Sequence, residues 1–268
     1  MPLRSPPPEY EILRVALLAA GEEGLSRFRR AHVEVKPDGT RVTDADKAAE
    51  AVLVEHLSRA FPGDLLVSEE GARVGAGPRK WVIDPIDGTH GFIEGLAYWG
   101  PTVGLVQTRA GRLELLCGAT WLPRLGEFWF AAAGEGAWRN GELLPPLSAA
   151  LPTSRAVFFL SSRFHRWHTL DFPGKARNLG GTAAHLALVA SGSACAAYVP
   201  AGWNLWDVAA GFALLNETGG VVKTLTGEPL DLLADAGLPA LAGSESAVDA
   251  LLGQIHFRND PVPGDADG

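Results

Sequence analysis

Apolar positions mark out the elements of this chain. In residues 9–30, Ile12, Leu13, Ala16, Leu17 and Ala20 recur at helical spacing, which predicts an amphipathic helix. Residues 2–8, rich in proline, read as an extended or disordered lead-in. Val33-Glu34-Val35-Lys36 is short and able to pair as a strand, and residues 37–40 form a mobile turn. Thr43 or Asp44 caps a second helix that runs to about Ala60, where Pro62-Gly63 stops it. Leu65-Leu66-Val67-Ser68 reads as a strand ending in Glu69-Glu70-Gly71. Trp81-Val82-Ile83 reads as a buried strand ending in a turn, Asp84-Pro85-Ile86-Asp87-Gly88, and a short helix starts over residues 88–92.

Beyond this point the pattern changes twice. Residues 102–108, 112–120 and 127–132 alternate between turns, the mark of an antiparallel meander, and residues 134–141 read as further tight turns. Proline and serine then cluster over residues 145–152, a domain boundary. After it, strands at 156–160, 194–199, 221–224 and 239–242 alternate with helices at 181–191, 205–217 and 245–252, an α/β layer. The expected organisation is a lead-in (1–8), an α+β part (9–147), an α/β part (148–258) and a frayed polar tail (259–268).

Composition narrows the function classes. The 268 residues, 47% hydrophobic and 20% charged, suit a globular protein with a sizeable core. A net charge of −8 leaves no basic footprint for a nucleic-acid polymer. No apolar run spans a bilayer and no signal segment follows Met1. Cys117 and Cys195 read as reduced core residues of a cytoplasmic protein, with a single disulfide left open.

The candidate chemistry is acidic. Asp84 and Asp87 sit three residues apart at the tip of a buried strand, costly unless a cation or hydrogen-bond donors compensate them. Hard cations such as Mg²⁺ take such oxygen ligands and often a substrate phosphate as well. The N–H groups at the start of the short helix would face an anion. Three further acidic features accompany the pair: Glu69-Glu70 at another strand end, Asp207 early in its helix, and Asp46 early in the second helix. Each has a bland reading. Asp84 and Asp87 suit a turn, Glu69-Glu70 a solvated strand end, Asp207 a helix dipole, and Asp46 an exposed face.

Taken together, the motifs resemble the inositol monophosphatase family of Mg²⁺-dependent, lithium-sensitive phosphatases. The matching stretches are Val42-Thr43-x-x-Asp46, Ser68-Glu69-Glu70, Asp84-Pro85-Ile86-Asp87-Gly88-Thr89 with Phe92, Gly134-x-Gly136-Ala137-x-x-Asn140-Gly141, Gly181-Thr182-Ala183-Ala184 and Trp206-Asp207-x-Ala209-Ala210-Gly211. The resemblance implies an α+β fold, a layered αβαβα sandwich, and hydrolysis of a small phosphate monoester with two or three Mg²⁺. It implies one ion on Glu69, Asp84 and the Ile86 carbonyl, and a second on Asp84, Asp87 and Asp207. A weaker third would be supported by Asp46 and Glu69. An activated water would attack phosphorus, with Glu70 and Thr89, backed by Asp46, orienting it or taking its proton. Gly88 and Thr89 would hold the phosphate through their N–H groups. A homodimer is expected by the same resemblance.

The substrate is left open. Inositol-specific relatives carry a Glu seven residues before the aspartate of the Trp-Asp pair; Pro200 stands there, without a side-chain acceptor or an N–H. Phe92-Ile93 and Pro123-x-x-Gly126-Glu127-x-Trp129 are similar to histidinol-phosphate phosphatases. Asn204-Leu205-Trp206-Asp207 and Ser162-Arg163-Phe164-His165-Arg166 are similar to adenosine 3′,5′-bisphosphate 3′-phosphatases. Lys36, His90, Arg163, Thr182, Trp203 and Asn204 are the candidate substrate contacts. Lys36 equally suits a plain surface lysine, His90 an exposed helix start, and Trp203 a core filler. His185 reads as a hydrogen-bonded core residue. A regulatory or binding protein that keeps the fold without turnover would be favoured by loss of a ligand carboxylate, and none is missing. A structural Ca²⁺ site would need a loop of alternating Asp and Asn, which the sequence lacks.

Overall fold

Two helices open the chain in the computed structural model, which describes residues 5–37 and 39–258. Helix α1 (Pro8–Arg27) begins on Pro8 itself, where a missing N–H costs nothing. The lead-in therefore ends one residue earlier than its composition suggested, and the helix stops before Arg29, whose φ is 63°. Leu13, Ala16, Leu17 and Ala20 face the core, the leucines each worth about 2 kcal/mol of burial. Ile12, expected on that stripe, instead stays 37% exposed. Strands β1 (Val33–Val35) and β2 (Arg41–Thr43) pair antiparallel ahead of α2 (Asp44–Ala60). Thr43 caps α2 in a capping box with Asp46.

The first large sheet follows. It comprises β3 (Leu65–Ser68), β4 (Arg73–Val74), β5 (Arg79–Asp87), β6 (Gly100–Arg109), β7 (Arg112–Leu122), β8 (Glu127–Ala132), β9 (Gly136–Arg139) and β10 (Glu142–Leu143), in the order β10-β9-β8-β7-β6-β5-β3-β4. Helix α3 (Thr89–Glu94) interrupts it after β5. Two expectations need correction. The strand begun at Trp81 does not end at Asp84 but continues to Asp87, because β6 goes on pairing past a bulge. Residues 134–141 are not all turn: Gly136–Arg139 pairs with β8, and the glycines only shape its ends.

The second sheet is mixed. It contains β11 (Val157–Phe159), β13 (Lys175–Arg177), β14 (Ala196–Val199), β15 (Val221–Thr224) and β16 (Ala240–Gly243), ordered β13-β11-β14-β16-β15. β13, β11 and β14 run parallel, while β16 is antiparallel to both its neighbours. Helices α4 (Phe164–Trp167), α5 (Thr182–Ala190), α6 (Leu205–Glu217) and α7 (Glu245–Leu252) alternate with these strands, and β12 (His168–Leu170) pairs with β17 (Ile255–Phe257).

Packing stacks these pieces into an αβαβα sandwich. Leu13, Leu17, Leu53 and Leu57 of α1 and α2 cover one face of the first sheet with Trp81, Ile83 and Phe130. Helices α5 and α6 lie between the sheets, where Leu186, Val208 and Phe212 meet Trp129, Phe159 and Val199. Val248 and Leu251 of α7 close the outer face against Phe158 and Tyr198. Both cysteines are free. The expected frayed tail, residues 259–268, and Asp38 of the turn lie outside the described residues.

Candidate active site

Strand register brings the first carboxylates together. β3 and β5 run parallel with Ser68 opposite Ile83, so the next residues, Glu69 and Asp84, emerge side by side. The Glu69 N–H donates to the Ile83 carbonyl at 3.0 Å, which keeps it there. On β5, residues three apart would ordinarily face opposite sides of a sheet. The register shift between Asp84 and Asp87 against β6 breaks that alternation. Asp84 Oδ1 accepts the Ile86 N–H at 3.0 Å.

Helix caps supply the other acids. Asp46 and Asp207 are both the third residue of their helices and reach back to the capping residue. Asp46 Oδ2 accepts the Thr43 N–H at 2.7 Å and its hydroxyl at 2.6 Å. Asp207 Oδ2 accepts the Asn204 N–H at 2.7 Å. Each thereby keeps Oδ1 for other work. Asp46 Oδ1 accepts the Thr89 hydroxyl at 3.1 Å, and that hydroxyl also lies 3.0 Å from the Ile86 carbonyl oxygen. Asp87 accepts the N–H groups of Thr182 and Ala183, at 3.2 and 3.0 Å, across the start of α5.

The result is a crowded acidic centre. Ligand oxygens of Glu69, Asp84 and Asp207 lie within 4.8 Å of one another. Asp46, Asp84 and Asp87 are buried. Burial, then the charge of neighbouring acids, pushes Glu69 up to about 7 and Asp87 to about 8, and raises Asp84 well above the carboxylate range. Burial lifts Asp207 to about 6 against the Asn204 hydrogen bond, and raises Asp46 and Glu70 as well. Lys36 brings a positive charge, 2.9 Å from Glu70 Oε1 and 3.6 Å from Glu69 Oε1. Burial alone would lower its ammonium pKa, but its two glutamate partners raise it. One ammonium cannot offset this many carboxylates, so the oxygen-only donor set fits divalent cations.

The remaining expected contacts are scattered. Gly88 caps α3 and Thr89 opens it, with His90 exposed beside them. Arg163 is exposed at the start of α4, and Asn204 is exposed at the start of α6. Thr182 is half-buried and meets Asp87 through its backbone. Trp203 is buried; its indole N–H donates to the Leu238 carbonyl at 2.6 Å, and its ring meets Phe212 edge-on. His185 is likewise a core residue, accepting the Leu179 N–H at 2.9 Å and stacked on Phe159. Sequence reasoning missed Ala183 as a partner of Asp87; the signal at hand was the Gly181-Thr182-Ala183-Ala184 stretch, which marked the segment without assigning its amides a role.

A layered αβαβα fold with acidic strand ends facing helix starts suits the class of phosphoric monoester hydrolases. Comparison with known proteins then gives the family: a family model described as the inositol monophosphatase family matches residues 8–256, and the chain belongs to that family. It is 33% identical to a histidinol-phosphatase of Streptomyces coelicolor, across 94% of this chain and 99% of that protein. It is 30% identical to an inositol-1-monophosphatase of Mesorhizobium japonicum, across 90% and 94%. Among solved structures, an IMPase of Thermotoga maritima superposes with a TM-score of 0.77 at 26% identity, covering 91% of this chain and 94% of that one.

Proposed function

We propose that this protein hydrolyses a small phosphorylated metabolite with Mg²⁺ held by Glu69, Asp84, Asp87, Asp207 and the Ile86 carbonyl, with Asp46 supporting a third ion. The convergence of Glu69, Asp84 and Asp207 within 4.8 Å carries this reading, because carboxylates so close repel one another unless protons or cations offset their charge, and a divalent cation does so with all of them ionised. Bound there, Mg²⁺ would polarise the phosphoryl group, acidify water and offset charge on the leaving oxygen.

The protein groups do the rest. Thr43 fixes Asp46, and Asp46 fixes the Thr89 hydroxyl. As a water attacks phosphorus, Thr89 takes its proton while passing its own to Asp46. Glu70, fixed by the Lys36 ammonium, accepts the second hydrogen bond of that water and keeps its lone pair in line. Backbone N–H groups of Gly88 and Thr89 receive the phosphate.

A histidinol phosphate substrate is the favoured specific reading, because Pro200 removes the acceptor that inositol hydroxyls would need and the Streptomyces relative is named a histidinol-phosphatase. Adenosine 3′,5′-bisphosphate is the second, on the exposed Arg163 and Asn204. We further propose a cytoplasmic, lithium-sensitive homodimer; no helix among the described residues is long and apolar enough to cross a membrane, and both thiols are free. The test is phosphate release with Mg²⁺, with and without EDTA, from histidinol phosphate, myo-inositol 1-phosphate, adenosine 3′,5′-bisphosphate, fructose 1,6-bisphosphate and β-glycerophosphate. One preferred substrate, silenced by EDTA, supports the reading. EDTA-resistant release, or none from any substrate, refutes it.

A further inference from the structure

The beginnings of α3 and α5 meet backbone to backbone. Gly88 is the N-cap of α3 and Gly181 the N-cap of α5. A Cβ on Gly88 would stand 3.2 Å from the Gly181 Cα, and one on Gly180 would stand 3.7 Å from the Gly91 Cα. Asp87 lies in this glycine-lined seam and spans it, one carboxylate oxygen on the Thr182 N–H and the other on the Ala183 N–H.

Glycine at 181 is not demanded by its backbone, which is extended (φ −110°, ψ 139°) and open to any residue. It is demanded by space. A Cβ there would stand 2.4 Å from Asp87 Oδ2 and 2.9 Å from the Tyr98 carbonyl oxygen. Carbon and oxygen do not approach so closely without one of them moving. The Tyr98 carbonyl belongs to the main chain, whereas the Asp87 carboxylate turns about two side-chain bonds. Asp87 is the group that gives way, and by giving way it leaves the α5 amides.

We infer that Gly181 is a positioning residue for Asp87: its missing side chain lets that carboxylate close onto α5 and thereby fixes the direction from which Asp87 faces Asp207. The inference rests on the divalent-cation reading given above. Asp87 closes the first turn of α5 with both carboxylate oxygens, and in the divalent-cation reading the remaining lone pairs of those oxygens would be its ligand positions, so the α5 contact sets their direction. A methyl group at 181 keeps the residue in the site and removes the orientation. Groups that orient metal ligands are worth about 10- to 100-fold in affinity or activity, and a displacement of about 1 Å at a reacting centre costs roughly 10²-fold.

The experiment is a double-mutant cycle in the full chain: wild type, Gly181→Ala, Asp87→Ala and the double variant. Melting temperature is followed without metal and through a Mg²⁺ titration, and phosphate release is measured at saturating Mg²⁺. Gly181→Ala is expected to need about tenfold more Mg²⁺ for half its melting shift and to turn over about 10²-fold more slowly. In the Asp87→Ala background the same methyl has no carboxylate to meet and only the Tyr98 carbonyl oxygen, at 2.9 Å, remains against it, so it should lower the metal-free melting temperature clearly less than it does beside Asp87. A Gly181→Ala protein that titrates like wild type overturns the inference. So does a loss of melting temperature that persists in full without Asp87, which would place the strain on the Tyr98 carbonyl. Where Gly181→Ala alone does not fold, a folded double variant supports the inference and an unfolded one overturns it. A wild type that ignores Mg²⁺ is a separate result and strikes the divalent-cation reading itself.

Discussion

Lys36 and Glu70, from opposite sides of α2 in the sequence, are joined by a 2.9 Å hydrogen bond that ties the β1–β2 loop to the acidic centre. The ammonium also lies 3.6 Å from Glu69, so it occupies the approach to a proposed cation ligand. Lys36→Met should therefore act in two opposite directions. Mg²⁺ should raise the melting temperature at lower concentrations than in wild type, because a competing positive charge is gone. Turnover at saturating Mg²⁺ should fall about tenfold, because Glu70 loses its anchor. Weaker Mg²⁺ binding in this variant would show that Lys36 organises the cluster rather than competing for it.

Asp46 and Thr89 should behave as one unit. Thr89→Val and Asp46→Asn are each expected to lower kcat about 10²-fold. The double variant should be hardly worse than either single one, since each alone breaks the Thr89–Asp46 hydrogen bond on which the proposed relay depends. Additive losses would separate their roles, and the comparison needs only initial rates at saturating substrate.

Without metal the protein should lose stability as pH rises from 6.5 to 8.5. Glu69 titrates at about 7 and Asp87 at about 8 when folded, against 4.5 and 3.8 ordinarily. A carboxyl group raised in the folded state stabilises fully below its unfolded pKa, and that stabilisation is gone once pH passes the folded value. His185 and His168 are lowered by burial, so their effect runs the other way, but it is complete above the ordinary value of 6.5. The carboxylates thus dominate the chosen window. Thermal melts in EDTA should show a falling melting temperature, and Mg²⁺ should flatten the fall. A flat or rising metal-free profile would contradict the electrostatics drawn for this centre.

Asp64, just before β3, provides a contrast beside the start of β5, at the other end of that strand from the acids. It is 3% exposed and accepts the Arg79 guanidinium at 2.8 and 2.9 Å and the Trp81 indole N–H at 3.0 Å. Asp64→Ala leaves a buried indole N–H unpaired and should cost about 2 kcal/mol of unfolding free energy. Turnover at low temperature should stay within about twofold of wild type. Chemical denaturation reads the first and an activity assay the second.

Local signals were readable in the chain and distant ones were not. The span of α6, Leu205–Glu217, and the Thr43 cap of α2 follow from apolar periodicity and from a cap three residues away from its partner. From the residues alone Glu69 and Asp84 were two strand ends, and only the family resemblance put them on one ion; the parallel register that joins them is a tertiary fact. Strands β12 and β17 escaped notice because His168 finds Phe257 across most of the second half. The clasp of Asp87 on α5 spans 95 positions, and no spacing rule reaches so far. β9 was hidden because the glycines around it signal turns more strongly than Ala137 and Trp138 signal a strand.

The origin of Asp207 has a consequence for how the protein comes into being. Its helix, α6, is gripped between the two sheets, and it is the last of the acidic ligands to be synthesised. A ribosome-bound chain that already carries Glu69, Asp84 and Asp87 still lacks both α6 and the α5 amides that hold Asp87. Long-range closure comes late in folding, so an unfinished chain presents scattered acids rather than an ion trap. In the proposed reading, hydrolytic competence would thus arrive only with the completed fold.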